Sequence, residues 1–178
     1  MPRLVLINGA PGSGKSSMAQ ALAKEEVMAL ALDVDGIKHS LGLWDEDPSA
    51  SGLHARRLSL ALAESQLSAG YDLVLGQYLP RTSFIEALET LAKRLDVRFV
   101  EFILDLDRST LAARLALRTH DPQRPEHVVN NRLVGPEDAG RLVESIELLR
   151  PVRPRAIWVD ARGSQSSTLD LLRAALER

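Results

Sequence analysis

The sequence predicts an α/β protein in which helices cover both faces of a mostly parallel, five-stranded sheet. Five short apolar runs alternate along the chain with stretches whose apolar residues recur every three or four positions. The chain has 178 residues, of which 45% are hydrophobic and 26% are charged, as is ordinary for a folded protein. We therefore expect a single domain over residues 1–178.

The elements follow one another in a regular order. The predicted strands are 3–8, 29–32, 72–76, 98–106 and 156–159. The predicted helices are 15–24, a helical turn over 35–40, then 54–69, 83–95, 109–118, 136–150 and a last helix opened by Ser167 and Asp170 as a capping box. Residues 42–52 are polar and rich in turn formers, so we expect a surface loop. In the long helix 54–69, the spacing predicts that Leu58, Leu62 and Ala69 face inward.

Composition excludes several classes of protein. Cysteine is absent, which excludes disulfides, cysteine-ligated zinc and a thiol nucleophile. The net charge of −2, from 22 basic and 24 acidic side chains, gives no long-range attraction for nucleic acid. No apolar run approaches the ~20 residues of a membrane span, and no signal peptide is visible. We therefore expect a cytoplasmic protein, monomeric or homodimeric, with neither a nucleic acid nor a membrane as partner.

A glycine-rich segment lies between the first predicted strand and the first predicted helix. It matches the pattern G-x-x-x-x-G-K-[ST] at every fixed position. Its glycines let the backbone wrap around a polyphosphate. The helix that follows points the positive end of its dipole toward the same polyphosphate. The nucleotide-binding residues predicted here are Gly9, Ala10, Pro11, Gly12, Ser13, Gly14, Lys15, Ser16 and Ser17. Lys15 is expected to contact the outer phosphates and Ser16 to ligate Mg²⁺, so ATP and Mg²⁺ are the expected cofactors.

With this motif in this position, the sequence resembles the P-loop small-molecule kinases. The group includes shikimate and gluconate kinases, chloramphenicol phosphotransferase and the zeta-toxin-like kinases. The order of predicted elements agrees with the group along nearly the whole chain, whereas the phosphate loop is the highly specific part of the match. The resemblance implies a P-loop NTPase three-layer sandwich with a short lid at about residues 119–136.

Two aspartates follow the second predicted strand, within D-V-D-G-I-K over residues 33–38. Carboxylates at positions i and i+2 of an extended segment face the same side, so one can face a metal while the other reaches an acceptor. In the kinases that the chain resembles, the later aspartate accepts the proton of the acceptor hydroxyl. The resemblance therefore implies that Asp35 is the general base and that Asp33 lies on the magnesium side. The alternative is that both acids cap the turn after the strand.

Arginines follow the fourth predicted strand. Arg114 and Arg118 are four residues apart and share a helix face, and Arg124 and Arg132 follow in a polar segment marked by prolines. In the kinases that the chain resembles, arginines of the lid close over the phosphates. The resemblance implies that Arg118 and Arg124 are catalytic, that Arg118 also binds the nucleotide, and that Arg132 borders the acceptor. The alternative is a solvated, arginine-rich surface.

The edge of the sheet at the carboxyl ends of the strands is where open parallel sheets bind ligands. The acceptor-site candidates near this edge are Asp35, Lys38, Arg56, Gln77, Arg81 and Arg132. In the third predicted strand, Gly76 is expected to admit the close approach of a ligand or a backbone. The loop after the fifth strand, with Arg162, is implied by the resemblance to pack against the adenine.

The third predicted strand departs from the pattern of many P-loop enzymes, because no carboxylate stands at its end. Either Asp33 takes the metal-side role or Mg²⁺ keeps more water ligands, as this cation readily does. The absence of this acid argues against a motor or switch ATPase.

The predicted function is an ATP-dependent, Mg²⁺-assisted phosphotransferase that phosphorylates a hydroxyl of a small polar metabolite or antibiotic, with Asp35 as general base. The alternatives are a nucleoside or nucleotide kinase and a nucleotide-binding regulatory ATPase without a small-molecule acceptor. A regulatory ATPase needs no acceptor base, so a role for Asp35 as base distinguishes a phosphotransferase from a regulatory ATPase.

Overall fold

The computed structural model describes residues 1–120 and 134–177. Its strands are β1 (Arg3–Asn8), β2 (Leu30–Leu32), β3 (Leu73–Gln77), β4 (Arg98–Asp105) and β5 (Ile157–Asp160). Its helices are α1 (Lys15–Ala23), α2 (Val34–His39), α3 (Pro48–Ser68), α4 (Ser83–Arg94), α5 (Arg108–His120), α6 (Ala139–Glu147) and α7 (Gln165–Leu176). A 3₁₀ turn over Pro136–Asp138 precedes α6.

The five strands form one parallel sheet in the order β2-β3-β1-β4-β5. Successive residues of β1 point to opposite faces: Val5 and Ile7 belong to one apolar cluster, and Leu4 and Leu6 to the other. The first cluster includes residues of α1, α5, α6 and α7, and the second includes residues of α2, α3 and α4. The predicted α/β three-layer architecture with five parallel strands is therefore confirmed. No helix in the described ranges is both long and apolar enough to cross a membrane.

Helix α3 begins earlier than the sequence predicts. It starts at Pro48, inside the expected surface loop 42–52, because Asp47 caps it. The carboxylate of Asp47 accepts the N–H groups of Ser49 at 3.1 Å and Ala50 at 2.9 Å, and the fixed φ of proline suits the first turn of a helix. The loop prediction for residues 48–52 is wrong, since this local cap outweighs their turn-forming composition.

Helix α3 also buries a different face from the predicted one. Leu58 and Leu62 are 37% and 45% exposed. Ala69 is exposed just beyond the helix. The buried residues recur every fourth position and are mostly small: Ala55, Ser59, Ala63 and Leu67. The prediction for Leu58, Leu62 and Ala69 is wrong, because the small side chains pack against the apolar cluster and the leucines face away from it.

The N-cap of the last helix lies three residues before the predicted one. Ser164 is the N-cap of α7, and its hydroxyl accepts the N–H of Ser167 at 3.1 Å. The side chain of Asp170 accepts a hydrogen bond of 2.7 Å from Arg173. The predicted capping box of Ser167 and Asp170 is therefore wrong, because an earlier serine already occupies the capping position.

Candidate active site

The phosphate loop connects the end of β1 to the start of α1. Gly12 and Gly14 have φ angles of 87° and 94°, in the left-handed region that favours glycine. Gly14 is the N-cap of α1 and offers no capping side chain, and the first turn of α1 carries no acidic residue. Since the first N–H groups of a helix have no partner within it, this terminus is suited to an anionic ligand.

The interior of the loop is filled by Ser13. This side chain is 3% exposed, and its Oγ has no hydrogen-bond partner in the part of the chain that the structure describes. A Cβ atom on Gly9 would lie 2.7 Å from that Oγ, so the loop closes tightly over the hydroxyl. The backbone N–H of Ser13 donates to the carbonyl of Ala10 at 3.0 Å, which fixes the turn. A preformed turn with glycines and a buried, unsatisfied hydroxyl fits a bound polyphosphate.

Lys15 links the phosphate loop to the rest of the site. Its Nζ donates to the carbonyl of Ala10 at 3.3 Å. Burial lowers the pKa of Lys15 to about 8, while the carboxylates of Asp35 and Asp33 act in the opposite direction and the guanidinium of Arg118 adds to the lowering. These charges act on one ammonium group. The structure therefore brings together four of the predicted site residues: Lys15, Asp33, Asp35 and Arg118.

Asp33 and Asp35 are arranged differently from the prediction, because a helix begins between them. Asp33 is the N-cap of α2, and its Oδ1 accepts the N–H groups of Asp35 at 3.0 Å and Gly36 at 3.2 Å. The prediction of an extended segment with both acids on one side is therefore wrong, since Asp33 caps α2 and Asp35 lies in the first turn of that helix. The amide Nε2 of Gln77 donates to Oδ1 of Asp35 at 3.3 Å. This bond holds the half-buried Asp35 against the end of β3.

Asn8 is a site residue that the sequence reasoning missed. It is fully buried at the end of β1, where its Oδ1 accepts the N–H groups of Gly9 at 2.8 Å and Leu79 at 2.9 Å. Its Nδ2 donates to the carbonyl of Leu79 at 2.9 Å. Asn8 thus joins the start of the phosphate loop to the segment after β3. The sequence feature that could have indicated Asn8 is its position as a polar residue at the end of an otherwise apolar strand.

Gly76 allows the start of α1 to lie directly against β3. A Cβ atom at this position would lie 2.8 Å from the carbonyl oxygen of Lys15 and 3.1 Å from the Cα of Ser16. The expected close approach at Gly76 is therefore made by backbone. No side chain fits here without displacing the start of the helix that carries Lys15.

One face of α5 contacts the phosphate loop. Leu111 and Leu115 lie beside Gly12, whose Cβ position is 3.0 Å from Cδ2 of Leu115. Arg114 lies on the same face and donates to the carbonyl of Ser13 at 3.2 Å. Arg118 follows one turn later, half-buried, and burial lowers its pKa. Arg114 and Arg118 were predicted to share a helix face, and this face of α5 is turned toward the phosphate loop.

Three further acceptor candidates lie on α2, on α3 and between β3 and α4. The Nζ of Lys38, on α2, is 5.0 Å from the ring centroid of Trp44, which lies in the segment after that helix. The guanidinium of Arg56, on α3, is 5.9 Å from the ring centroid of Phe84. Arg81 is exposed between β3 and α4.

Arg162 lies in the loop that follows β5. Arg162 pairs with Asp160 through two hydrogen bonds of 2.9 and 2.7 Å. Its side chain is therefore folded back along the end of β5. Arg124 and Arg132, with most of the predicted lid over 119–136, lie outside the described residues.

Comparison with known proteins places this fold in a family. The family model described as an AAA domain matches residues 4–134. The chain belongs to this family. The match includes the phosphate loop, Asp33, Asp35, Gln77 and α5. No curated protein sequence matches this AAA domain.

Solved structures share the fold of this AAA domain at low sequence identity. A gluconokinase from Sinorhizobium meliloti 1021 superposes with a TM-score of 0.68 at 20% identity, over 99% of this chain and 93% of that chain. A protein from Chloroflexus aurantiacus j-10-fl with a provisional kinase assignment gives 0.66 at 19% identity, over 99% and 96% of the two chains. A deoxyadenosine kinase from M. mycoides gives 0.54 at 14% identity, over 98% of each chain. The predicted resemblance to P-loop small-molecule kinases is thereby confirmed for the fold.

The donor groups of this AAA domain suit magnesium better than a cation that needs a cage of protein ligands. Among residues 1–120 and 134–177, no group of three or more histidine, aspartate or glutamate side chains is arranged to hold a metal. Mg²⁺ keeps several waters and is usually held by one or two carboxylates together with the phosphates of a substrate. The hydroxyl of Ser16, in the first turn of α1, and the carboxylate of Asp33, whose charge acts on Lys15, are donor types that fit that mode of binding.

Proposed function

We propose that this AAA domain is an ATP-dependent phosphotransferase that phosphorylates a hydroxyl of a small polar metabolite or antibiotic. The observation that carries the proposal is the placement of Asp35 and Lys15. Asp35 is held by Gln77 at the end of β3, and its carboxylate acts on the ammonium of Lys15 in the phosphate loop. A carboxylate in front of the outer phosphates is positioned to receive the proton of an attacking hydroxyl.

The proposed reaction assigns a role to each group. The oxygen of the acceptor hydroxyl forms a bond to the γ-phosphorus of ATP, the bond to the β-phosphate oxygen breaks, and Asp35 takes the hydroxyl proton. Lys15 and the N–H groups at the start of α1 stabilise the charge on the phosphate oxygens. Arg118, with Arg124 from the lid, adds positive charge on the opposite side of the phosphates.

The cofactors in this proposal are ATP and Mg²⁺. When bound, Mg²⁺ would supply positive charge that offsets the negative charge of the phosphates. Ser16 would hold the cation directly, and Asp33 would hold it through water, because capping of α2 uses Oδ1 of Asp33. Arg162 and the backbone of its loop are the proposed neighbours of the adenine.

The acceptor is proposed to bind between α2, the end of β3 and the start of α4. Gln77 stands next to Asp35 in this region. Lys38 follows Asp35 by one turn of α2. The other proposed acceptor residues are Arg56, Arg81 and Arg132.

The test is a transfer assay with γ-labelled ATP, Mg²⁺ and a panel of polyols, sugar acids, nucleosides and hydroxylated antibiotics. We expect ADP and a phosphorylated acceptor in equal amounts. Asp35→Asn should lower the transfer rate by about 10²–10⁴-fold, with ATP binding retained, because the general base is lost. The matched control is Asp170→Asn, an exposed aspartate on α7 that should leave the rate unchanged.

Two results would contradict the proposal. Near-normal transfer by Asp35→Asn would exclude Asp35 as the base. Release of ADP and inorganic phosphate at a rate that no acceptor changes would favour the regulatory ATPase instead.

A further inference from the structure

We propose that this AAA domain forms a homodimer through the outer face of α3, against which the α3 helix of a second copy packs in the antiparallel direction. The outer face is the surface formed by Leu58, Ala61, Leu62 and Ser65, all of which are exposed. It is turned away from the face of α3 that packs against the apolar cluster. The proposal concerns the assembly of the chain and does not depend on the proposed function.

More large apolar side chains are exposed on α3 than on any other helix in the described part of the chain. They are Leu53, Leu58 and Leu62, with exposed fractions of 56%, 37% and 45%, whereas α5 and α7 expose one leucine each. Leu58 and Leu62 are four positions apart, so they are neighbours on one face of the helix, and the exposed Ala61 lies one turn after Leu58. Single exposed leucines are ordinary, but a continuous apolar face on a helix indicates a surface that is covered in the assembled protein.

The residues of the outer face complement one another in size across a two-fold axis. When two copies of α3 lie antiparallel about an axis near Ala61 and Leu62, Leu58 of each copy meets Ser65 of the other, and Leu62 of each copy meets Ala61 of the other. Each large side chain then packs against a small one, which lets the two helices approach closely. A parallel arrangement would instead place each leucine against its own copy and leave a gap between the small residues.

The charges at the border of the outer face favour the same arrangement. Arg57 and Glu64 are seven positions apart, so they lie along one side of the face. Two-fold symmetry brings Arg57 of each copy opposite Glu64 of the other. Within the described part of the chain, Arg57 forms no ion pair, and Glu64 uses only Oε1 to accept a hydrogen bond of 2.8 Å from Arg94. A second copy of this chain therefore supplies a carboxylate oxygen for the guanidinium of Arg57.

The first experiment measures the oligomeric state of the full chain by sedimentation equilibrium over a range of concentrations. We expect a monomer–dimer equilibrium. Leu58→Gln and Leu62→Gln should each weaken dimerisation by about 10–100-fold, because each substitution occurs twice in a symmetric dimer. Leu171→Gln is the matched control, since Leu171 is an exposed leucine on α7 and its loss should leave dimerisation unchanged. A wild-type chain that stays monomeric at the highest soluble concentration, or a dimer that neither α3 variant weakens, would overturn the proposal.

Charge reversal tests the pairing of Arg57 with Glu64. Arg57→Glu and Glu64→Lys each place like charges opposite each other at two points of the dimer, so each variant alone should dimerise about 3–30-fold more weakly than the wild type. An equal mixture of the two variants should form a heterodimer with an affinity near that of the wild type, because both facing pairs are then of opposite sign. A mixture that associates no more tightly than its components would overturn the antiparallel arrangement.

Cross-linking locates the two-fold axis, since the chain has no cysteine of its own. Ala61→Cys lies next to the proposed axis and should form a disulfide between the two copies under mild oxidation. In Ser68→Cys, at the last residue of α3, the two sulfurs would be about 20 Å apart along the helix and should not link. Equal linking of both variants, or a link in neither, would overturn the proposal.

Discussion

The side-chain amide of Gln77 donates to the carboxylate of Asp35 at 3.3 Å, across 42 positions of sequence. This bond joins the end of β3 to the first turn of α2. It also sets the direction of the carboxylate, because Oδ1 is held by the amide, while Oδ2 accepts no hydrogen bond from residues 1–120 and 134–177. The position where many P-loop enzymes carry an acid thus holds a neutral residue that orients an acid supplied by the neighbouring segment.

Replacing Gln77 by glutamate tests this arrangement. Gln77→Glu puts a second carboxylate beside Asp35, and two carboxylates at hydrogen-bond distance tend to share a proton. A shared proton blocks a general base, so we expect the acid limb of the kcat/KM profile to move to higher pH by about 1–2 units. The rate should recover at high pH. Gln77→Met is the neutral control and should shift the limb much less; an unmoved limb in Gln77→Glu would argue against Asp35 as base.

Gly76 offers a test of the packing of α1 on β3. In Gly76→Ala, the new Cβ would lie 2.8 Å from the carbonyl oxygen of Lys15. We expect a loss of about 1–3 kcal/mol in the free energy of unfolding and weaker nucleotide binding, because the start of α1 must shift. Urea titration and calorimetry measure these changes.

Gly52 supplies the control for that substitution. It lies within α3, where a Cβ would meet nothing within 4 Å. Gly52→Ala should raise stability by up to about 1 kcal/mol, since alanine favours a helix over glycine. Equal effects of the two substitutions would contradict the steric role of Gly76.

The lowered pKa of Lys15 predicts that nucleotide binding depends on pH. In the free protein the pKa is about 8, below the ordinary 10.5, so the ammonium is charged below pH 8 and loses its proton as the pH rises through 8. Bound phosphates favour the charged form. ATP affinity should therefore be full below pH 8 and fall by up to about tenfold per pH unit above it.

Calorimetry in two buffers of different ionisation enthalpy checks this directly. At pH 8.5, ATP binding should be accompanied by uptake of a proton, which makes the measured enthalpy depend on the buffer. Lys15→Arg keeps its charge at this pH and should abolish the uptake. Identical enthalpies for the wild-type protein in both buffers would disprove the coupling.

Asn8 predicts a stability effect. Asn8→Ala removes three hydrogen bonds and leaves the N–H of Gly9 and both backbone groups of Leu79 without their side-chain partner. We expect a loss of about 2–3 kcal/mol, since unsatisfied buried polar groups keep their full desolvation cost. Gln66→Ala, which removes a more exposed amide bonded to the carbonyls of Met28 and Asp72, should cost less. Thermal or urea unfolding measures both variants, and the reverse order would refute this role for Asn8.

The fold and the phosphate loop were predictable because their signals are local. A strand, a glycine-rich turn and a helix are adjacent in sequence, and the apolar periodicity of neighbouring residues defines the layers. The predicted helix boundaries were wrong where a single capping side chain determines the residue at which a helix begins. Asp47 and Ser164 start α3 and α7 by accepting nearby N–H groups, and their composition alone does not separate a cap from a loop.

The rest of the site depends on contacts between distant residues. Asn8 meets Leu79 across 71 positions, and Arg114 meets Ser13 across 101. No pattern within a single element carries this information. The prediction of the buried face of α3 was wrong for a similar reason. The small residues of this helix are buried because they pack against the neighbouring layer, so the choice of face depends on that layer as well as on the helix sequence.

The face of α5 that touches the phosphate loop has a consequence for how this chain tolerates change. Leu111, Arg114, Leu115 and Arg118 reach the site because they are in phase along one helix. Inserting or deleting a single residue among them would rotate everything beyond it by about 100° and turn Arg118 away from Lys15. A substitution at Leu117, which is 70% exposed, leaves that phase intact. Length, more than composition, is what this stretch of the sequence has to preserve.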